Sequence, residues 1–453
     1  MKMRVAFLVV GSLFLLSFPA WSAEPSVKLT LSESIKQALD HNLDIRITEI
    51  QLQGTESKVA QKKASFMPKL NLELAPANWA GKLDSLDYEP QADLSVSLLT
   101  KGGTTYSLDL EQEKGEDERI NTSWSFILTQ KIIPHPRVDS SYLALEKSLL
   151  DLRQKRLTLE EEKNRLKLEV TVNFYEILKQ QRKIELNRLY LKQARQDLLV
   201  VEDKWENQLA SDVDLLEGQI KVANAEESVF QSQDDLFQYS GEFKDLLGID
   251  SEAQIELIGE SHYEPEPLDL NLEEAVREAL VNRLEIKQEE LTIKEGELDL
   301  VLAKSKRSPS LNLSGGYGYT ELEKGEYEAS LIFQIPLLDG GEGKAEVETA
   351  ETRLKEIYLN LEKLRRDIRA EARNSFFDLQ RGSRRIELLR LSQNWSEKDL
   401  EIAQRRFSGG GITENELREK EINFKQAEID LLDAILDYET ARSTFLKSLG
   451  RKL

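Results

Sequence analysis

The feature that most constrains this chain is an internal duplication with long helical runs inside it. Residues 29–72 align without gaps onto 270–313 at an offset of 241, so that LTLSESIKQAL from Leu29 faces LNLEEAVREAL from Leu270. A second block, 169–248, aligns onto 371–450 at an offset of 202, and both copies close on Leu-Gly, at Leu247-Gly248 and Leu449-Gly450. A chain built this way folds the same unit twice and packs the two together. The offsets differ by 241 − 202 = 39, so the first repeat holds 39 more residues between its blocks.

Each repeat reads as helix, strands, long helix, turn, helix. Thr30 with Glu33, and Asn271 with Glu274, have the spacing of capping boxes that start the first helices. Pro68 and Pro309 mark where helix gives way to extended chain. Between Pro136 and Gly218 there is neither glycine nor proline, and from Gly343 to Gly409 only Gly382 intervenes. Such runs permit helices of about 70 residues, or ~100 Å. Tyr142, Leu145, Leu149, Leu152, Leu159, Leu166, Val170 and Ile177 keep a broken 3–4 spacing, which implies left-handed supercoiling against neighbours. Arg156 and Lys163 interrupt that seam. Helices are therefore expected over about 30–64, 138–206 and 212–247, and again over about 273–305, 343–407 and 414–449. The half-length helices, stacked end to end, match the long one beside them. Residues 249–269, with Pro265 and Pro267, read as a non-helical belt joining repeats 23–248 and 270–450.

Strands are expected over about 69–133 and 310–337. Leu311, Leu313, Gly315, Tyr317 and Tyr319 alternate with small or polar residues, and on the return Ala329, Leu331, Phe333 and Ile335 alternate with Ser330, Ile332 and Gln334. Runs of about ten residues with one apolar and one wet face suit tilted strands crossing a bilayer. Alternation alone also fits an amphipathic hairpin on a soluble core. One chain has too few such strands to close a barrel, and open edges cannot face lipid. The extra 39 residues offer a further hairpin, Ala92–Leu99 and Tyr106–Glu111, whose place the sequence leaves open. It could join the barrel, extend a surface loop or lie below the membrane.

Residues 1–22 have the layout of a signal peptide. Lys2 and Arg4 precede an apolar run from Val5 to Phe18, and Ala20 and Ser22 sit at −3 and −1 of a cleavage after Ser22. A short membrane anchor is the other reading, but the run is shorter than the ~20 residues a spanning helix needs. Cleavage would take the formal charge from −21 to −23 by removing Lys2 and Arg4. That acidity argues against a nucleic-acid partner and suits a pore that favours cations. The absence of cysteine excludes disulfides and thiolate metal sites. His41, His135 and His262 are dispersed. No nucleophile motif or phosphate-binding loop is present, so neither an enzyme, a cofactor nor a bound metal is expected.

Ile335-Pro336-Leu337-Leu338-Asp339-Gly340-Gly341 resembles the strand-to-helix motif of TolC-like outer-membrane efflux proteins. Phe407-Ser408-Gly409-Gly410-Gly411-Ile412-Thr413, followed by Leu417, is similar to their helix-hairpin tip. The duplicated order is itself that family's plan. The resemblance implies a mainly α fold with a small transmembrane β part. Three copies would form a 12-stranded outer-membrane barrel continuous with a long periplasmic α-helical barrel. It further implies a passive exit duct in the outer-membrane lipid that docks a periplasmic adaptor (a membrane fusion protein) and an inner-membrane pump, in tripartite efflux or type I secretion. Glu416 and Glu419 would form an acidic ring at the periplasmic entrance, where crowding raises carboxyl pKa values. Both also fit ordinary solvated positions. Ile412 departs from the family's gating arginine. The adaptor contacts would be the tips, Asn207, Gln208, Leu209, Ala210, Ser211 and Asp212, and Gly409, Gly410, Gly411, Ile412 and Thr413. Pro134-His135-Pro136 replaces the second repeat's Asp-Gly-Gly, so the two junctions need not be alike. The competing reading is an exported periplasmic coiled-coil structural or adaptor protein without a membrane barrel.

Overall fold

The structure is a computed structural model and describes residues 27–75, 79–82, 85–88, 91–114, 120–258, 270–321 and 324–451. The expected signal peptide, His262 and the proline-containing part of the connecting segment lie outside the described residues. In the first repeat, β1 (Val27–Leu29) leads into helices α1 (Leu31–His41) and α2 (Leu43–Ala64). Strands β2 (Lys69–Ala75), β3 (Trp79–Lys82), β4 (Ser85–Tyr88), β5 (Gln91–Leu99), β6 (Thr104–Lys114) and β7 (Ile120–Ile133) follow. A short 3-10 turn, Pro136–Val138, precedes α3 (Ser140–Glu206) and α4 (Asp212–Leu247). After β8 (Ile255–Leu257), the second repeat runs α5 (Leu272–Asn282), α6 (Leu284–Lys306), β9 (Ser310–Thr320), β10 (Lys324–Gln334), α7 (Glu342–Ser408) and α8 (Glu414–Ser448).

The long runs poor in glycine and proline form α3 and α7, each of 67 residues, which at 1.5 Å per residue is ~100 Å. Gly382 lies within α7 without ending it. A Cβ there would meet the Tyr438 ring at 3.3 Å, so its small size lets α8 approach. Shorter helices flank each long one. Near the strands α2 packs on α3, and towards the tips α4 does, with α1 touching both α3 and α4. The charges within the α3 seam find partners on α2: Arg156 with Glu56 at 3.1 Å and Lys163 with Glu49 at 2.9 Å.

The segments 30–64 and 273–305, read above as single helices, are each broken, at Asn42 and Arg283. These positions correspond at the offset of 241. Asn42 turns extended (ψ 131°), and its Oδ1 accepts from the Asp44 and Ile45 N–H groups at 3.0 and 3.2 Å, starting α2 afresh. Its Nδ2 donates to the Leu246 carbonyl at 3.1 Å, and Arg283 donates to the Ser448 carbonyl at 3.5 Å. Each break is thus held against the end of the paired half-length helix. Close approach is enforced there by glycine. A Cβ on Gly248 would lie 2.7 Å from the His41 carbonyl oxygen, and one on Gly450 2.8 Å from the Asn282 carbonyl carbon.

The core is duplicated with the sequence. Ala38, Ile45, Val170, Ile177, Phe243 and Leu247 are buried in the first repeat, and Ala279, Ile286, Ala372, Leu379, Phe445 and Leu449 take the matching places in the second. Phe174 meets Phe243 at 6.3 Å between ring centroids, and Phe376 meets Phe445 at 5.9 Å. Truncating a fully buried phenylalanine such as Phe243 costs ~3–5 kcal/mol. β1 pairs in parallel with β8, Val27 opposite Ile255 and Leu29 opposite Leu257, which ties the start of the first repeat to the connecting segment.

Contacts between helices set their lateral order as α2–α3–α6–α7 near the strands and α4–α3–α8–α7 towards the tips. This is a wall one helix thick, not a ball. Above it lies a six-stranded antiparallel sheet in the order β10-β9-β7-β6-β5-β2. The resemblance implies four strands per chain; this chain has six in the sheet because the extra residues of the first repeat supply β5 and β6. The two strand-to-helix junctions also differ. Ile133-Pro134 is cis and Asp139 caps α3, whereas the Asp339 carboxylate accepts from the Gly341 and Gly343 N–H groups at 2.9 and 3.0 Å before α7.

Candidate functional site

The two hairpin tips are built alike. At the first, Gln208 has φ +61° and the Leu209 N–H donates to the Lys204 carbonyl at 2.7 Å. At the second, Gly410 has φ +70° and the Gly411 N–H donates to the Arg406 carbonyl at 2.8 Å. Both are left-handed helix stops, and both are followed by a capping box, Ser211 with Asp214 and Thr413 with Glu416. The first tip is braced by the Trp205 indole N–H on the Asp212 carboxylate at 2.8 Å, and Leu209 stands 78% exposed beside it. Asn207, Gln208, Leu209, Ser211 and Asp212 are exposed and Ala210 half-buried, while at the second tip Gly409, Gly410, Gly411 and Thr413 are exposed and Ile412 half-buried.

Glu416 therefore has a local task. Its carboxylate accepts from the Thr413 N–H at 2.7 Å and the Thr413 hydroxyl at 2.9 Å, and these bonds hold it below the usual carboxylate range. The cap acts in the sense opposite to crowding. Glu419 lies one turn further along α8 on the same exposed side. Within one chain the two carboxylates share the tip of α8, and neither touches a metal-binding cluster. Among the described residues no group of histidine or acidic side chains is arranged to hold a metal ion.

The sheet has two unlike faces. On one, Leu72, Leu94, Leu110, Trp124, Tyr319 and their neighbours run in register from strand to strand. On the other stand Asp93, Glu111, Ser123 and Ser125, with Gly316 and Gly318 beside them. On the apolar face Leu70, Leu72 and Leu74 of β2 and Leu331 and Phe333 of β10 are 57–69% exposed. Trp124, Tyr317, Tyr319 and Tyr327 cluster towards the end far from the helices, with Tyr317 and Tyr327 4.7 Å apart. A sheet apolar on one side, polar on the other and ringed by aromatics at one end matches a strand set in a bilayer. Among the described residues no helix is long and apolar enough to cross a membrane.

The sequence profile described as Outer membrane efflux protein matches residues 275–451, which is nearly the whole second repeat. The first repeat has the same core and the same tip. Within residues 275–451 the chain is similar to the outer membrane efflux protein family. Among curated proteins none matches it by sequence. Solved structures share its fold over almost the full length. The Campylobacter jejuni CmeC outer membrane channel is 12% identical, covers 99% of this chain and 94% of its own, and superposes with a TM-score of 0.68. The outer membrane protein VceC of Vibrio cholerae is 14% identical over 93% of this chain and 96% of its own, with a TM-score of 0.65. The open state of the Neisseria gonorrhoeae MtrE outer membrane channel is 15% identical over 93% and 89%, also at 0.65.

Two features of the chain were not visible in its sequence. The first is the contact between its hairpins. Lys179 of α3 bridges Glu176 at 3.1 Å and Asp437 of α8 at 2.9 Å. Tyr190 donates to Gln426 at 3.2 Å, and Arg418 reaches Gln196. Beside Lys179, burial pushes the Asp433 carboxyl up to about 6; Asp437, Asp430 and Glu176 add to this and Lys179 opposes it. Nothing in the spacing of α8's acids distinguished Asp433 from a solvated position. The second feature lies at the free edges of the wall. Val213, Leu216, Ile220, Phe230 and Phe237 form an exposed stripe on α4, 57–81% exposed. Leu388, Leu391, Trp395 and Ile402 form another on α7, 53–70% exposed. Both stripes keep heptad-type spacing, the signature of a seam that faces a further helix. A search for that spacing within α4 and α7 would have found them.

Proposed function

We propose that this protein is the outer-membrane exit duct of a tripartite efflux or type I secretion machine. Three copies would surround one passage, with the helical part in the periplasm. Residues 1–22 would act as the export signal. The observation that carries this reading is the pairing of open edges. The sheet ends in two unpaired strands that lipid would not tolerate, and the wall beneath ends in two apolar seams. Joining α4 of one copy to α7 of the next covers both seams, and the same rotation joins the sheet edges. A closed ring satisfies both at once.

The duct performs no chemistry. Its passage is gated where the hairpins meet. An adaptor bound at Asn207–Asp212 and at Gly409–Thr413 would separate α7 and α8 from α3 and α4, breaking Lys179–Asp437, Tyr190–Gln426 and Arg418–Gln196. Glu416 and Glu419 of three copies would place six carboxylates around the narrow end, favouring cations. The pump would choose the cargo. Extraction separates this from the rod-like alternative: the protein should stay in membranes through carbonate washing, leave only in detergent, and conduct ions in planar bilayers. Release by salt or carbonate, without conductance, would favour a periplasmic rod.

A further inference from the structure

The hairpin β5–β6 is not an appendage of the sheet. Among the described strands, β2 pairs with β5 and β7 pairs with β6, so the hairpin is the link between β2 and the rest of the sheet. Its faces match those of its neighbours. Leu94, Val96, Leu108 and Leu110 continue the apolar side, and Ser95 opposite Asp109 continues the polar side. Its turn is seated at the helical end. The Lys131 N–H donates to the Gly103 carbonyl at 3.0 Å, Gln130 donates to the Gly102 carbonyl at 3.1 Å, and a Cβ on Gly103 would lie 2.9 Å from the Pro136 ring.

From this we infer that each copy contributes six strands to the shared barrel, so that, on the trimeric reading above, the barrel closes with 18 strands. The closing partner is a second copy of this chain, through β10 of one and β2 of the next. All neighbours in the sheet are antiparallel. With an even number per copy, β10 running towards the helices meets β2 running away from them, and the alternation continues around the ring. The widths agree as well. The four helices beneath the sheet, α2, α3, α6 and α7, occupy ~32–40 Å side by side. Six strands spaced ~4.8 Å and tilted ~40° occupy ~38 Å, whereas four would occupy only ~25 Å. Eighteen strands give a barrel ~36 Å across between backbones, against ~24 Å for twelve. The hairpin also adds Asp93, Asp109 and Glu111 to the wet face, so the wider passage is acidic along its membrane section.

The chain has no cysteine, so single-cysteine variants report position directly. In phospholipid vesicles holding the trimer, S95C and D109C should react with a membrane-impermeant maleimide at least tenfold faster than V96C and L108C. Equal rates at all four positions would place the hairpin in water and overturn the inference. Counting strands in a reconstruction of the unmodified trimer tests it independently of any variant. Eighteen strands are expected. A closed barrel of twelve, with the hairpin outside, would overturn the inference and leave the duct intact; no barrel at all would overturn both.

Discussion

Alanine at Gly450 and alanine at Gly410 put the same methyl group on backbones of nearly identical conformation, φ +71° and +70°. Their surroundings are opposite. Around Gly410 nothing lies within 4 Å of the added carbon, whereas at Gly450 it meets the Asn282 carbonyl carbon at 2.8 Å and the Arg283 nitrogen at 2.9 Å. The left-handed conformation alone costs an L-residue ~1 kcal/mol, and that is the whole effect expected at Gly410. At Gly450 the obstacle is backbone held at the α5–α6 break, which cannot swing aside, and overpacking adds ~1–3 kcal/mol. The expected gap between the variants is ~2 kcal/mol, or about 30-fold in an equilibrium constant. Membrane oligomers commonly unfold irreversibly, so the suitable assay is loss of helical circular dichroism at fixed temperature in detergent, read as a rate. Gly450→Ala should unfold much faster than Gly410→Ala. Equal rates would refute the close abutment of α8 on that break, and with it the stacking that makes the wall.

Trp395→Glu together with Leu391→Asp should leave a folded but monomeric protein by light scattering in detergent; a persisting trimer would mean the α7 seam is not an interface. For Asp433 the folded carboxyl titrates near 6 against an ordinary 3.8, so its ionised form opposes folding. The cost grows as pH rises from about 4 to 6 and is full above that. Asp433→Asn should therefore stabilise at pH 7.5, by ~1–2 kcal/mol once the solvent that still reaches the group is allowed for, with the gain gone below about pH 4. A gain independent of pH would point to packing instead. Glu419→Ala should weaken cation selectivity in planar bilayers without altering stability, whereas Glu416→Ala should weaken selectivity and also loosen the tip, because Thr413 loses its partner. Unchanged selectivity in the double variant would remove both from the gate.

Much of the fold was legible because its determinants are local or repeated. Helices as long as α3 and α7 need a long run without proline and with little glycine, and the duplication supplies two independent readings of each half-length helix. The breaks at Asn42 and Arg283 were not legible. Neither residue forbids a helix, and what turns the chain there is the end of α4 or α8, more than 160 residues away in each case. The hairpin β5–β6 could be recognised as strands, but its insertion between β2 and β7 is a long-range choice that alternation does not encode. At the site, Glu416 was singled out for charge, yet its first role is to cap a helix, a pattern visible in Thr413-Glu414-Asn415-Glu416. Asp433 was missed because burial between two helices, not its neighbours in sequence, moves its pKa.

The central claim is a hollow ring of three copies. Electron microscopy of the mature, detergent-extracted protein tests it most directly, with three-fold averaging examined and not imposed. A hollow, three-fold cylinder whose helical section is ~100 Å long is expected. A thin solid rod, or a particle that stays in solution without detergent, would contradict it.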